Sequence, residues 1–302
     1  LDAIMVPGAG LAVIAILQLH DLWQPILFGE RLRSARYGIT SLAGNAGDLA
    51  AFLVLPCLVA QAGLPAALGR ARWWRLFVLA TTVYALAGTQ TLTSLAAAAA
   101  GSLLLWSARL PPRRLVVLAG AATATVLLLG VLVPPLRERV VRLQTAFTGG
   151  DNLNNLLSGR LDGWRVAARL LAEHPVAGVG LGAYRAEFAP MKLRLLAEGV
   201  PFYRGHLNPS FANAHDDYLE LGADLGWPGL LALAWGLALV LRAAWRAHRR
   251  DAADRALAWG GLAALALLAL AYFPFHLGPV AFGWMAWLGW LFAGADDAEA
   301  AP

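Results

Sequence analysis

Five stretches of this chain contain no Asp, Glu, Lys or Arg: 49–69, 76–108, 115–136, 225–241 and 256–295. An apolar helix needs about 20 residues to cross the hydrocarbon of a bilayer, so each stretch has room for one or two crossings. Backbone groups in lipid find no water and must pair within their own segment, which makes helices the expected form. Only 14% of the residues are charged, against about 25% in soluble globular chains. The expectation is an all-α polytopic membrane protein.

Reading the apolar runs against their flanks gives about eight transmembrane helices, near 3–19, 47–63, 75–89, 91–107, 115–133, 226–241, 256–273 and 279–294. The organisation expected is five spans in 1–133, one large insert of short helices and loops in 134–225, and three spans with an acidic tail in 226–302. The chain starts at Leu1 and turns apolar within three residues, with no basic n-region or A-x-A site. That pattern is not a signal peptide, and further helices upstream are expected. Ala-rich stretches such as Ala96–Gly101 suit close helix packing. The single cysteine, Cys57, leaves no internal disulfide to form.

Short loops set the orientation. Arg70, Arg72 and Arg75 form one basic group, and Arg109, Arg113 and Arg114 a second. Arg242, Arg246, Arg249, Arg250 and Arg255 form a third. With the spans counted as above, all three fall on one side, which the positive-inside rule makes cytoplasmic. The insert 134–225 then lies outside. The net charge of +5 is distributed as membrane topology requires, so no nucleic-acid partner is expected.

The insert differs in kind from the rest. It holds ten basic and ten acidic residues, nearly half the charges of the chain, together with Gly178, Gly180, Gly182, Pro175, Pro190, Pro201 and Pro209. Residues 158–175 read as one helix, with Ser158 as its cap and Pro175 as its stop. At 100° per residue Arg160, Trp164, Ala167 and Leu171 share one stripe, while Asp162, Arg165, Arg169 and Glu173 fall on the opposite face, with Arg165 and Arg169 expected as solvated charges. Arg160 therefore points inward. Either it snorkels from a helix end, or its planar fork of donors grips a phosphate.

Residues 213–226 repeat the pattern. His215, Tyr218, Leu219, Gly222 and Gly226 line one packed face, and Asp217, Glu220 and Asp224 the other. A histidine on an apolar face is commonly a satisfied core residue; as a catalyst, its ordinary pKa of about 6.5 suits proton transfer. The run Gly178-Val-Gly-Leu-Gly182 follows a helix and a proline, so it is a turn and not a dinucleotide fingerprint. His206, His215, Asp216 and Asp217 match no dedicated zinc spacing, and no metal or cofactor is expected.

Three blocks of residues resemble the O-antigen ligase and polymerase family. The first is Arg36 and Gly38, then Gly44-Asn45 followed by Leu49-Ala50. The second is Gly159-Arg160 with Trp164, then Pro175 and Gly178-x-Gly180. The third is Ala214-His215 with Tyr218-Leu219, then Gly226-x-x-Gly229 opening a span. Leu95 follows Thr93-Ser94 where the family carries a Ser-Arg pair, and Ala46-Gly47 stands where a Pro-Asn pair is common.

The resemblance implies a bacterial inner-membrane enzyme that moves a glycan from undecaprenyl diphosphate to an acceptor at the periplasmic face, with inversion and without a metal. The acceptor is a lipid A core or another lipid-linked repeat. On that pattern His215 is the catalytic base and Arg160 holds the diphosphate, with Arg36, Asn45, Trp164 and Tyr218 expected at the substrate. Arg31 and Arg33 extend the basic group around Arg36. Membrane lipids are the remaining partner. The rival readings are a transporter or flippase of lipid-linked sugars and an inactive scaffold. Transporters set charges within their spans, whereas here the candidates cluster in one extramembrane region.

Overall fold

A computed structural model describes residues 1–23, 39–107, 109–114, 116–117, 120, 154, 157, 159–203, 212–247 and 251–300, the last seven as backbone only. Most of these residues are helical, and no strand occurs among them. The helices are α1 (Met5–Leu19), α2 (Ala46–Gly63), α3 (Gly69–Thr89), α4 (Leu92–Ser107), α5 (Arg160–Glu173), α6 (Tyr184–Ala197), α7 (Asp217–Arg246), α8 (Ala252–Ala271) and α9 (Gly278–Ala300). Short 3-10 turns precede α1 and α9. The chain forms two compact units, one of Leu1–Pro111 with Leu237–Pro302, the other of Pro112–Gly236.

Among the described residues, four helices are long and apolar enough to cross a membrane: Asp2–Leu19, α2, α7 and α8. The α4 helix and the Gly278–Ala293 part of α9 are shorter apolar helices. Two boundaries differ from expectation. The α3 helix starts at Gly69 and takes Arg70, Arg72 and Arg75 into its first turns. The α7 helix starts at Asp217 and kinks at Gly226, where φ is +65°. The expected span 115–133 lies almost wholly outside the described residues.

In the first unit α2 is the buried centre, touching α1, α3, α4, α8 and α9. Asn45 caps it, its Oδ1 accepting from Gly47 N at 2.7 Å. Small residues let the backbones approach. A Cβ added at Gly101 of α4 would stand 2.8 Å from the Gly260 carbonyl oxygen of α8, and one at Gly8 only 2.5 Å from Pro56. Gln61 joins α2 to α4, donating to Ser102 Oγ and accepting from Trp106 Nε1, each at 2.9 Å.

Arginines donate to carbonyls in the last turns of α2, as basic side chains do near helix C-termini. Arg109 donates to Gln61 O at 3.4 Å and Ala62 O at 2.6 Å. Arg75 donates to Val59 O at 3.0 Å and pairs with Asp2 at 2.7 Å. Toward the other end of α2, the Tyr272 hydroxyl donates to Asp48 at 2.5 Å.

Candidate functional site

The second unit is built around three carboxylates that the helical wheel set on the faces opposite its packed stripes. Asp162, Glu220 and Asp224 are all buried. A buried carboxylate is stable only where donors surround it, and each of these accepts a backbone N–H from a segment outside its own helix. Asp162 accepts from Tyr203 N, at 3.0 Å to the nearer oxygen, and from Asn154 Nδ2 at 2.6 Å. Glu220 accepts from Ala214 N at 2.6 Å and Asn213 Nδ2 at 3.2 Å. Asp224 accepts from Gly182 N at 2.6 Å and Tyr184 N at 3.0 Å. Asp162 therefore lies on the packed side of α5 and not opposite it: the buried stripe is Asp162, Gly163, Val166, Ala167 and Leu170.

The same correction applies to α7, where Glu220 and Asp224 are buried alongside Gly222. Arg165 and Arg169 are partly exposed. Arg165 donates to Pro201 O, and Arg169 bridges Glu173 at 2.8 Å and Glu198 at 3.0 Å. Gly159, not Ser158, caps α5, with a left-handed backbone and no side-chain bond; the helix stops at Glu173. Ser158 lies outside the described residues.

These anchors bring residues 213–216 against the first turns of α5. A Cβ added at Gly163 would meet the Ala214 carbonyl oxygen at 2.6 Å. Trp164 Nε1 donates to His215 O at 3.4 Å, and the Tyr184 hydroxyl to Gly163 O at 3.2 Å. Burial raises the pKa of the Tyr184 hydroxyl, and the charges of Glu220, Asp162 and Asp224 raise it further. Tyr184 thus remains a neutral donor at the centre of the unit.

His215 precedes α7 rather than lying within it. Its φ is +58°, a left-handed conformation uncommon outside glycine that costs on the order of 1–3 kcal/mol and persists where neighbours fix it. Glu220 holds the preceding amide, and Asp216 caps α7 by accepting from Tyr218 N at 3.0 Å and Leu219 N at 2.9 Å. Burial pushes the His215 imidazole down to about 4; the Arg160 guanidinium adds to the fall and Glu220 opposes it. Near neutral pH the ring is uncharged and has a nitrogen able to take a proton. The unfolded chain binds that proton near pH ~6.5. Folding stability therefore falls as pH drops from there toward 4.

Of the six residues expected at the site, Arg160, Trp164, His215 and Tyr218 belong to this one unit. Arg160, Trp164 and Tyr218 are half-buried, and Arg160 is close enough to act on the charge of His215. Asn45 belongs to the other unit, as the cap of α2. Arg36, with Arg31 and Arg33, lies outside the described residues. Among the described residues no group of three or more His, Cys, Asp or Glu side chains is spaced to hold a metal ion.

Asp162, Glu220 and Asp224 escaped the sequence reading. Their only local signal is that Asp162 precedes Gly163 and Asp224 lies two residues before Gly226, both places where foreign backbone comes close.

Apolar helices of spanning length, in a chain whose second unit sets a histidine within electrostatic reach of an arginine, define the class: an integral membrane protein. The family model for O-antigen ligase matches residues 76–234, more than half of the chain. The protein belongs to the O-antigen ligase family, whose members are membrane glycosyltransferases of the ligase and polymerase type. The matched residues include Arg160, Trp164, His215 and Tyr218 and exclude Arg36 and Asn45. No curated protein matches the chain.

Proposed function

We propose that this protein transfers a glycan from undecaprenyl diphosphate to a hydroxyl of a lipid A core or of another lipid-linked repeat, at the periplasmic face of the bacterial inner membrane and without a metal. His215 is the general base and Arg160 holds the diphosphate. The observation that carries this reading is the left-handed His215 segment seated against the first turns of α5, within electrostatic reach of Arg160.

In the step proposed, the acceptor oxygen attacks the anomeric carbon while His215 takes the hydroxyl proton. The bond from that carbon to the diphosphate oxygen breaks, and the leaving group carries its negative charge to Arg160. A positioned cation in a water-poor site is worth most where charge develops. The pair also couples binding to reactivity. Burial is the larger cause of the depressed His215 pKa and the Arg160 charge the second; a diphosphate seated on Arg160 offsets that second part, so the base strengthens when donor is present. Trp164 and Tyr218 frame the same segment. The outside placement rests on the arginines gathered where α2 ends, the end the positive-inside rule makes cytoplasmic.

Purified enzyme given donor and acceptor tests the assignment. His215→Ala lowers the transfer rate ~10²–10⁴-fold, the usual cost of a lost general base, while donor still binds. The same change at His174, an exposed residue, is tolerated. Arg160→Lys impairs donor use because lysine lacks the fork, and Arg165→Lys and Arg169→Lys do not. Near-normal turnover by His215→Ala would reduce it to a packed residue.

A further inference from the structure

We propose that the loop 175–183, together with Trp227, is a docking surface for the headgroup–acyl boundary of the lipid bilayer. From Pro175 to Ala183 the sequence is Pro-Val-Ala-Gly-Val-Gly-Leu-Gly-Ala, nine residues with no charged or polar side chain. Such a loop would ordinarily bury its apolar groups, yet Val176 is 76% and Leu181 79% exposed. On the neighbouring helices α5 and α6 the surface carries charged pairs, as in Arg169–Glu173–Arg194.

The loop cannot fold back to cover these side chains, because its backbone is tied down. Val179 N donates to Ala223 O and Gly180 N to Asp224 O, each at 2.9 Å, and Trp227 N donates to Pro175 O at 2.8 Å. The Asp224 carboxylate takes Gly182 N at 2.6 Å. Gly178, Gly180 and Gly182 all have positive φ, and a Cβ at Gly178 would stand 2.2 Å from Asp224 O. The chain accepts glycine-only geometry to hold an apolar tip outward.

What covers the tip follows from where it is tied. Trp227 opens the apolar part of α7, a helix of spanning length. Trp227, Leu231 and Trp235 recur every fourth residue and are 58%, 68% and 71% exposed, a stripe that lipid covers in a spanning helix. Val176 and Leu181 belong to the segment bonded to the head of that stripe, so the apolar surface continues from the span onto the loop. Tryptophan is the residue favoured at the level where chain passes from headgroups to hydrocarbon. A pinned loop at that level fixes the depth of the rest of the unit; this inference does not depend on the roles given to His215 and Arg160.

The test uses the whole chain in proteoliposomes, with Cys57 replaced by Ala and an environment-sensitive fluorophore on a single cysteine at Leu181, or at Ala168 on the exposed side of α5. The label at Leu181 is expected to be quenched by phospholipids brominated high on the acyl chain and to resist aqueous iodide several-fold better than the label at Ala168. Labelling at Val176 checks that Leu181 is not peculiar. Iodide quenching at Leu181 and Val176 equal to that at Ala168, with no effect of brominated lipid, would overturn the proposal. Shielding from both quenchers would overturn it too, by showing that protein covers the loop.

Discussion

The two units of this chain rely on different means to hold their segments together. In the first, helices approach through absent side chains: Gly101 faces the Gly260 carbonyl, Gly8 clears Pro56, and a Cβ at Gly261 would stand 2.5 Å from the Trp287 ring. In the second, irregular segments are held by present charges, with Asp162, Glu220 and Asp224 each buried on backbone amides. Close packing fixes helices whose own bonds are complete, whereas a loop with unpaired amides needs acceptors brought to it. The His215 segment belongs to the kind that needs acceptors, and a left-handed histidine can be held there.

The comparison breaks most visibly at Asp224. Asp224→Ala strips the acceptor from Gly182 N and Tyr184 N, and a buried donor left unsatisfied costs about 1–3 kcal/mol. A loss of ~2–5 kcal/mol is expected, read as earlier protease cleavage within 175–184 on heating, and Asp224→Asn recovers part of it. Gly101→Leu attacks the other unit through overpacking, at about 1–3 kcal/mol. Thermal unfolding should drop while the 175–184 region keeps its protection; equal loosening of both regions would erase the distinction drawn here.

The smallest effect is expected at Glu173. Its carboxyl is held below the usual range by hydrogen bonds from Arg194 and then Arg169, but the cluster is open to water, where ion pairs are worth little. Glu173→Gln should leave the melting temperature within error near neutral pH. What the pair does add is present above the unfolded carboxyl pKa and fades as pH falls below it.

The apolar runs made the helices legible, because a span must satisfy its backbone internally and its composition shows it. Gly178, Gly180 and Gly182 were legible as a turn for a related reason: all three adopt positive φ. The inward carboxylates were not. The wheel sends a charge to solvent unless a partner is known, and the partners of Asp162 and Asp224 lie about forty residues away in sequence. The start of α3 was misplaced because three arginines interrupt the apolar run without interrupting the helix. The pairing of Arg160 with His215 came from the family resemblance, since nothing local links residues 55 positions apart.

The claim at the centre of this account is that His215 is kept neutral beside Arg160, and the ionisation of that one ring tests it. Diethyl pyrocarbonate modifies uncharged imidazole, so the rate of modification at His215, followed against pH by peptide mapping, reports its pKa in the intact protein. The midpoint is expected near 4 in the native enzyme, far below the ordinary value of ~6.5. Arg160→Gln should raise it, because a depressing positive charge is gone. A midpoint at the ordinary value, unmoved by Arg160→Gln, would contradict the account.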